Sequence, residues 1–343
     1  MEGFCDRVKR REKHSVLCVG LDTSYDNLPD CMKNKVQTPQ NKARCVTGFN
    51  RGVVERTFTH AAAYKLNYLY YLGSDRQRAL ADTVAHIREC APRNPIILDA
   101  KFADTDRSNK QAAQFAFDEL GVDAVTVVHT PGCEKGLEPF LERAETDGKG
   151  VIVVCRMSHK GAREFYDDII TVELSEKVRG QMPKEVYDLL RLGMPLYAKI
   201  AFTVAWDWNV RYGNCALVVG CTDDESAACL KLVRSLVGNL PILVPGYGAQ
   251  GEGTLMEQAT RIAQAGRTST GDGILVNASR SICPYGMGED WLQGVERSAI
   301  VHNDALNISR MQDIPIPEGV EQRDFLRTRA RRRKKVPDEV LFT

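Results

Sequence analysis

A chain of 343 residues that is 43% hydrophobic and 27% charged has the make-up of a protein with a substantial core, which argues against a disordered chain. Its 46 basic and 45 acidic residues leave a formal charge of +1, so the chain as a whole has no electrostatic reason to seek nucleic acid or a membrane surface. No run approaches the roughly 18 apolar residues of a membrane span, and the 11 cysteines, without any C-x-x-C pair, read as reduced and mostly buried thiols rather than a disulfide framework or zinc site.

The chain opens with "MEGFCDRVKRREKHSVLCVGLD", in which charges precede a short apolar stretch that runs into Asp22 rather than a cleavage site. This is a strand and not a signal peptide, and it predicts a cytoplasmic protein. The stretch at 15–22 is the first of eight short, mostly β-branched runs. The others are "AAAYKLN" (61–67), "PIILDAK" (95–101), "AVTVVHT" (124–130), "GVIVVCRMS" (150–158), "CALVVGCT" (215–222), "PILVPGYG" (241–248) and "GILVNASR" (273–280). Near-continuous apolar runs of this length suit strands covered on both faces, as in a parallel sheet. Most are separated by helix-compatible segments such as "DRQRALADTVAHIRECA" and "DESAACLKLVRSLVG". Eight strand–helix units predict an α/β chain folded as a (β/α)8 TIM barrel over residues 1–310, with a doubly wound open sheet as the alternative. The connection from 159 to 214, between strands 5 and 6, is enlarged and is expected to carry extra helices; its "LYAKIAF" could also pass for a strand. From 311 to 343 the chain turns proline- and charge-rich, predicting a basic, partly disordered C-terminal extension.

The third run, in "ILDAKFADTDRSN", leaves the core carrying Asp99, Lys101, Asp104 and Asp106. Residues two apart share a face of a strand, so Asp99 and Lys101 project together at the strand's C-terminal end, which is the active-site end of a barrel. Asp104 lies just beyond, within reach of the same mouth or of a neighbouring subunit. Lys65 ends the second run and Asp22 the first. A lone D-x-K is most often an ordinary ion pair at a sheet rim; Lys65, Asp99, Lys101 and Asp104 at consecutive strand ends instead suggest an alternating lysine–aspartate network. Asp106 has no assigned role. The last two runs offer different parts. "PGYGAQGEG" (245–253) is a glycine-rich loop whose amides can approach an anion, with Gln250 as a side-chain donor, and Arg280 can grip a phosphate with two parallel hydrogen bonds. Barrels commonly bind phosphate at these two loops, which suggests a phosphorylated substrate. Ser158 and His159, at the end of the fifth run, are suited to reading a heterocycle edge.

With "GLD" (20–22), "YKLN" (64–67), "DAKFAD" (99–104), "MSHKGA" (157–162), "LVVGCT" (217–222), "LVPGYGAQG" (243–251) and "VNASRSI" (276–282), the sequence resembles the orotidine 5'-monophosphate decarboxylase family, in its longer bacterial-type branch. The D-x-K-x-x-D core is shared with other barrel decarboxylases; the loop and "NASRSI" segments make the resemblance specific. It implies decarboxylation of orotidine 5'-monophosphate to UMP and CO2, the last step of de novo pyrimidine nucleotide synthesis, without metal or organic cofactor and by a homodimer. It implies a catalytic charge network of Lys65, Asp99, Lys101 and Asp104, with Asp104 lent by the partner subunit. It also implies ribose contacts from Asp22 and Lys65, a pyrimidine contact from Ser158, phosphate contacts from Gln250 and Arg280, and a cross-dimer ribose contact from Ser108. Where the family commonly continues with Ile-Gly-Asn-Thr, this chain reads Thr105-Asp106-Arg107-Ser108, which moves that hydroxyl to a shorter side chain.

Two rival readings differ from this one. A magnesium-dependent sugar-acid phosphate decarboxylase or aldolase of the same barrel superfamily would share D-x-K-x-x-D, but resembles a metal site with an acidic residue where this chain has Lys65. A non-catalytic nucleotide- or RNA-binding protein would use "RTRARRRKK" (327–335), a run without interleaved aromatics that more often is a solvated tail. Nothing after 285 resembles a phosphoribosyltransferase loop, so orotidylate is expected to come from another protein.

Overall fold

All eight runs become strands of one closed parallel barrel: β1 (Leu17–Gly20), β2 (Ala63–Asn67), β3 (Ile96–Phe102), β4 (Ala124–Val128), β5 (Gly150–Arg156), β6 (Cys215–Val219), β7 (Ile242–Pro245) and β8 (Ile274–Ala278). Each strand pairs with the next in sequence, and Leu17 of β1 meets Val276 of β8 to close the ring. The computed structural model describes residues 2–33, 36, 38–171, 193–283 and 288–312. The basic run at 327–335 and most of the expected C-terminal extension lie outside these residues.

The period-2 pattern of the strands divides their side chains between two cores. Outward residues such as Leu17, Tyr64, Leu98 and Val153 pack beneath the surrounding helices. Inward residues, among them Cys18, Ala63, Ile97, Ile152, Val218 and Leu243, fill the barrel interior. The helix α1 (Phe4–Glu12) is followed by a ring of helices that includes α2 (Pro39–Thr57), α3 (Ser74–Cys90), α4 (Asp106–Gln114), α5 (Glu138–Thr146), α6 (Leu196–Thr203), α7 (Asp224–Val237), α8 (Leu255–Gly266) and α9 (Trp291–Met311). Several begin as their sequences dictate. Thr38 caps α2 ahead of Pro39, and Asp223 and Thr254 form reciprocal capping boxes on α7 and α8.

The helix α1 stands apart from the ring and plugs the N-terminal end of the barrel, where Phe4 and Val8 join the interior core. Burying these two side chains stabilises the closed end by roughly 1.5–3 kcal/mol each. Gly150 at the start of β5 leaves room for the plug, because a Cβ there would stand 2.5 Å from the Phe4 ring.

The connection between β5 and β6 is enlarged as expected. Its described part holds a short helix (Arg163–Tyr166), a two-residue ribbon pairing Ile169–Ile170 with Met194–Pro195, and α6. "LYAKIAF" is thus helical: Tyr197, Ala198, Ile200 and Ala201 are buried, and the Cys155 thiol donates to the Tyr197 carbonyl at 3.1 Å. Arg156 of β5 anchors the connection through a forked pair of bonds to Asp167 at 2.7 and 2.8 Å. At the other end of the chain α9 runs to Met311, one residue beyond the expected boundary. No helix among the described residues is long and apolar enough to cross a membrane, and none of the 11 cysteines forms a disulfide.

The plug carries one buried carboxyl, Glu12, which accepts the Gly273 N–H at 3.1 Å just before β8. Burial, reinforced by Asp272, raises its pKa from 4.5 to about 7. The folded protein therefore holds this proton more tightly than the unfolded chain, and stability from this group falls as pH rises from 4.5 to 7. We expect Glu12→Gln to raise the unfolding free energy at pH 8 by up to about 3 kcal/mol while changing little near pH 4.5, measured by urea titration at both pH values. An equal effect at both would refute the assignment.

Candidate active site

The C-terminal ends of the strands surround a cavity of 460 Å³ lined by both polar and apolar side chains. Its floor is an ion cluster centred on Asp99. Lys65 Nζ lies 3.2 Å from Asp99 Oδ2 and 3.2 Å from Asp22 Oδ1, and Lys101 Nζ lies 2.6 Å from Asp99 Oδ1. The Thr126 hydroxyl of β4 donates to Asp99 Oδ1 at 2.8 Å, and the Ser279 hydroxyl donates to Asp22 Oδ2 at 2.9 Å. The chain Lys101–Asp99–Lys65–Asp22 therefore alternates in sign, with hydroxyls at two of its oxygens.

Barrel register sets this order. Lys65 pairs with Ile97 and Asn67 with Asp99, which places Lys65 one inward-facing level below Asp99 and leaves its ammonium to extend upward between the two carboxylates. Gly20 pairs with Lys65, and a Cβ on Gly20 would stand 1.9 Å from Ser279 Oγ, so only glycine lets Ser279 cross to Asp22. The loop that carries Asp22 is tied on both sides. Tyr71 OH donates to the Leu21 carbonyl at 2.7 Å, and the Thr23 hydroxyl donates to Asn50 Oδ1 at 2.6 Å, while Asn50 in turn donates to Tyr71 OH at 2.9 Å.

Asp99 and Lys101 do share the inner face, but the backbone reaches this arrangement through an irregularity. The pairing of β3 with β4 slips between Leu98 and Phe102, and Lys101 adopts φ +52°, the left-handed region that side chains with a Cβ seldom occupy. Its N–H is held by Thr126 Oγ1 at 2.9 Å. One threonine thus supports the strained backbone of Lys101 and the carboxylate of its partner.

The charges are far from equally wet. The side chain of Lys65 is 4% exposed and that of Asp99 11%, against 35% for Lys101, which faces the open cavity. Burial opposes ionisation of Asp99, but Lys65, Lys101 and the Thr126 hydroxyl outweigh it and hold the carboxyl well below the usual carboxylate range. Burial likewise works against the Lys65 ammonium, and Asp22 and Asp99 reverse it, raising its pKa. Both groups are charged at neutral pH.

Ser158, Gln250 and Arg280 all line the upper cavity, where the Ser158 hydroxyl donates to Gln250 Oε1 at 3.4 Å and so links the β5 end to the glycine-rich loop. The structure does not bring Asp104 or Ser108 into the cavity of their own chain. Both are exposed, and the Asp104 carboxylate accepts the N–H of Thr105 at 2.6 Å. Asp106, unassigned from the sequence, opens α4, where its negative charge faces the unpaired N–H groups of the first turn. Sequence reasoning missed Thr126 and Ser279. The one available signal was a hydroxyl interrupting an apolar strand run in "AVTVV" and directly following one in "ILVNAS".

Residues 15–284 match the family described as Orotidine 5'-phosphate decarboxylase / HUMPS family. The chain is 31% identical over 309 residues to the orotidine 5'-phosphate decarboxylase of Cellvibrio japonicus (strain Ueda107), covering 90% of this chain and 99% of that one. It is 34% identical over 291 residues to that of Janthinobacterium sp. (strain Marseille), covering 85% and 92%. Among solved structures, the OMP decarboxylase of Leishmania donovani superposes with a TM-score of 0.66 at 26% identity, over 90% of this chain and 99% of that one.

The cluster generates a prediction about stability. Lys65→Met removes the cation between two carboxylates and leaves Asp99 and Asp22 to repel across the gap. We expect a loss on the order of 3–5 kcal/mol by chemical denaturation at pH 7. A loss under about 1 kcal/mol would mean that Lys65 does not compensate these charges.

Proposed function

The chain belongs to the orotidine 5'-phosphate decarboxylase / HUMPS family, and we propose a division of labour among its residues for the reaction, the decarboxylation of orotidine 5'-monophosphate to UMP and CO2 in pyrimidine nucleotide synthesis. The observation that carries the proposal is the Asp99 carboxylate fixed between Lys65 and Lys101 at the base of a cavity whose rim holds Gln250 and Arg280.

Cleaving the bond between C6 and the carboxylate leaves an electron pair in the plane of the pyrimidine ring, where the ring π system cannot delocalise it. Stabilisation has to come from fixed charge. Lys101 is the group we assign to this task. It is the more exposed of the two ammonium groups and is aimed by Asp99 at 2.6 Å. As CO2 leaves with neither of the bonding electrons, C6 takes a proton from Lys101 Nζ, and solvent restores the ammonium. Asp99, ionised by its neighbours, stands where a substrate carboxylate would be repelled, and release of CO2 would relieve that repulsion.

Lys65 and Asp22 meet the ribose hydroxyls, Ser158 the pyrimidine edge, and Gln250 and Arg280 the phosphate. The substrate is thereby held at its two ends, and binding energy from the phosphate is spent on seating C6 against Lys101. Asp104 and Ser108, exposed on the outer rim, serve the neighbouring copy in a homodimer, so that each site takes its second aspartate from across the interface. A nucleotide-synthesis role makes the cytoplasm the working compartment.

We expect Lys101→Ala to abolish UMP formation, followed by the absorbance loss as orotidylate is consumed, with an unchanged circular dichroism spectrum; near-normal turnover would eliminate the mechanism. Arg280→Ala should chiefly raise KM, and a chelator should leave the rate unchanged. The shared site has its own test. Inactive Lys101→Ala and Asp104→Ala proteins, mixed and allowed to exchange subunits, should recover about a quarter of native activity, because each mixed dimer contains one site free of both changes. No recovery despite demonstrated exchange would place Asp104 outside the partner's site.

A further inference from the structure

The glycine-rich loop is held together by a residue that never reaches the substrate cavity. Gln258, in the first turns of α8, is buried, 4% exposed, behind the loop. Its Oε1 accepts the Gly248 N–H at 2.8 Å. Its Nε2 donates to the carbonyls of Gly251 at 3.0 Å, Gly253 at 2.9 Å and, more weakly, Gly248 at 3.4 Å. One side-chain amide therefore gathers both ends of the turn from 248 to 253 on one point.

Two further observations make this grip specific. A Cβ on Gly251 would stand 2.3 Å from Gln258 Oε1, so the loop passes as close to the amide as glycine permits. Behind the loop lies a second cleft of 520 Å³, lined by Gln258 itself together with Ala249, Ser281, Arg297 and His302 among others. Ala249 lines both this cleft and the substrate cavity. The loop is a thin wall between two spaces, and Gln258 is the strut at its foot.

The direction of these bonds bears on anion binding. Drawing the carbonyls of Gly248, Gly251 and Gly253 onto Gln258 turns negative ends of the backbone dipoles away from the cavity. Ala249 and Gln250 lie between these anchored glycines and line the cavity, and the amides of such a glycine-rich turn can approach an anion.

We propose that Gln258 is a positioning residue for the phosphate group of the substrate: it sets the loop in the one shape that presents these amides and the Gln250 side chain. This rests on the reading of the loop as the phosphate site. The residue acts only through the loop, so its effect is confined to substrates that carry a phosphate.

The test compares orotidine 5'-monophosphate with orotidine, which lacks the phosphate, in native protein, Gln258→Met and Arg280→Ala, with thermal unfolding as a check on folding. Gln258→Met should lower kcat/KM for the nucleotide by about tenfold or more, largely through KM, and leave kcat/KM for the nucleoside within about twofold. A loss shared equally by both substrates, or no loss, overturns the proposal. If Arg280→Ala shows the selective loss and Gln258→Met does not, only the role of Gln258 falls; if neither shows it, the phosphate reading falls too. Should Gln258→Met fail to fold, Gln258→Glu replaces it. That variant keeps the acceptor for Gly248 but sets a carboxylate against three carbonyls, and the same criterion applies.

Discussion

Everything at the mouth of this barrel is arranged around one buried carboxylate. Asp99 is largely withdrawn from water, and a carboxylate in such a place either takes up a proton or is compensated. Here two ammonium groups and a hydroxyl compensate it. Compensation has to arrive from separate strands, because no single strand can surround one of its own side chains. The positions of Lys65, Thr126 and Lys101 are therefore fixed by the register of β2, β3 and β4, and the site is as rigid as the barrel that carries it.

That demand also accounts for the one irregular strand. A regular β3 would pair Lys101 with β4 in unbroken register. The slip after Leu98 and the left-handed backbone at Lys101 cost stability, on the order of 1 kcal/mol or more, and they persist because Thr126 holds both the Lys101 N–H and Asp99. Strain here sits at the ammonium to which we assign the chemistry, where a displaced group would lose its aim.

The sequence made the barrel legible because each strand is a mostly apolar run that gives way to polar or glycine residues, and the fold follows from counting such runs. It made Lys65, Asp99, Lys101, Gln250 and Arg280 legible because charge or glycine at a strand's end is conspicuous against that background. Supporting groups were hidden for a physical reason. Ser279 meets Asp22 across a separation of 257 residues, and Thr126 meets Asp99 across 27. A hydroxyl in a strand looks alike whether it faces a neighbour or a void. Gln258 is a polar residue in an amphipathic helix whose burial appears only once the loop is laid over it. The slip in β3 has no local signature at all.

The closure of the ring by Leu17 against Val276 has a consequence during synthesis. β1 is synthesised well before β8, so one of its edges has no barrel partner until β8 has followed. Throughout that interval an apolar strand with unpaired amides is open to wrong pairing, either within the nascent chain or with another copy. The charged α1 directly ahead of it, with Lys9, Arg10 and Arg11 in its last turn, places like charges on every copy beside that edge. The same short helix that later seals the barrel floor would, in the growing chain, keep exposed β1 strands of neighbouring copies apart.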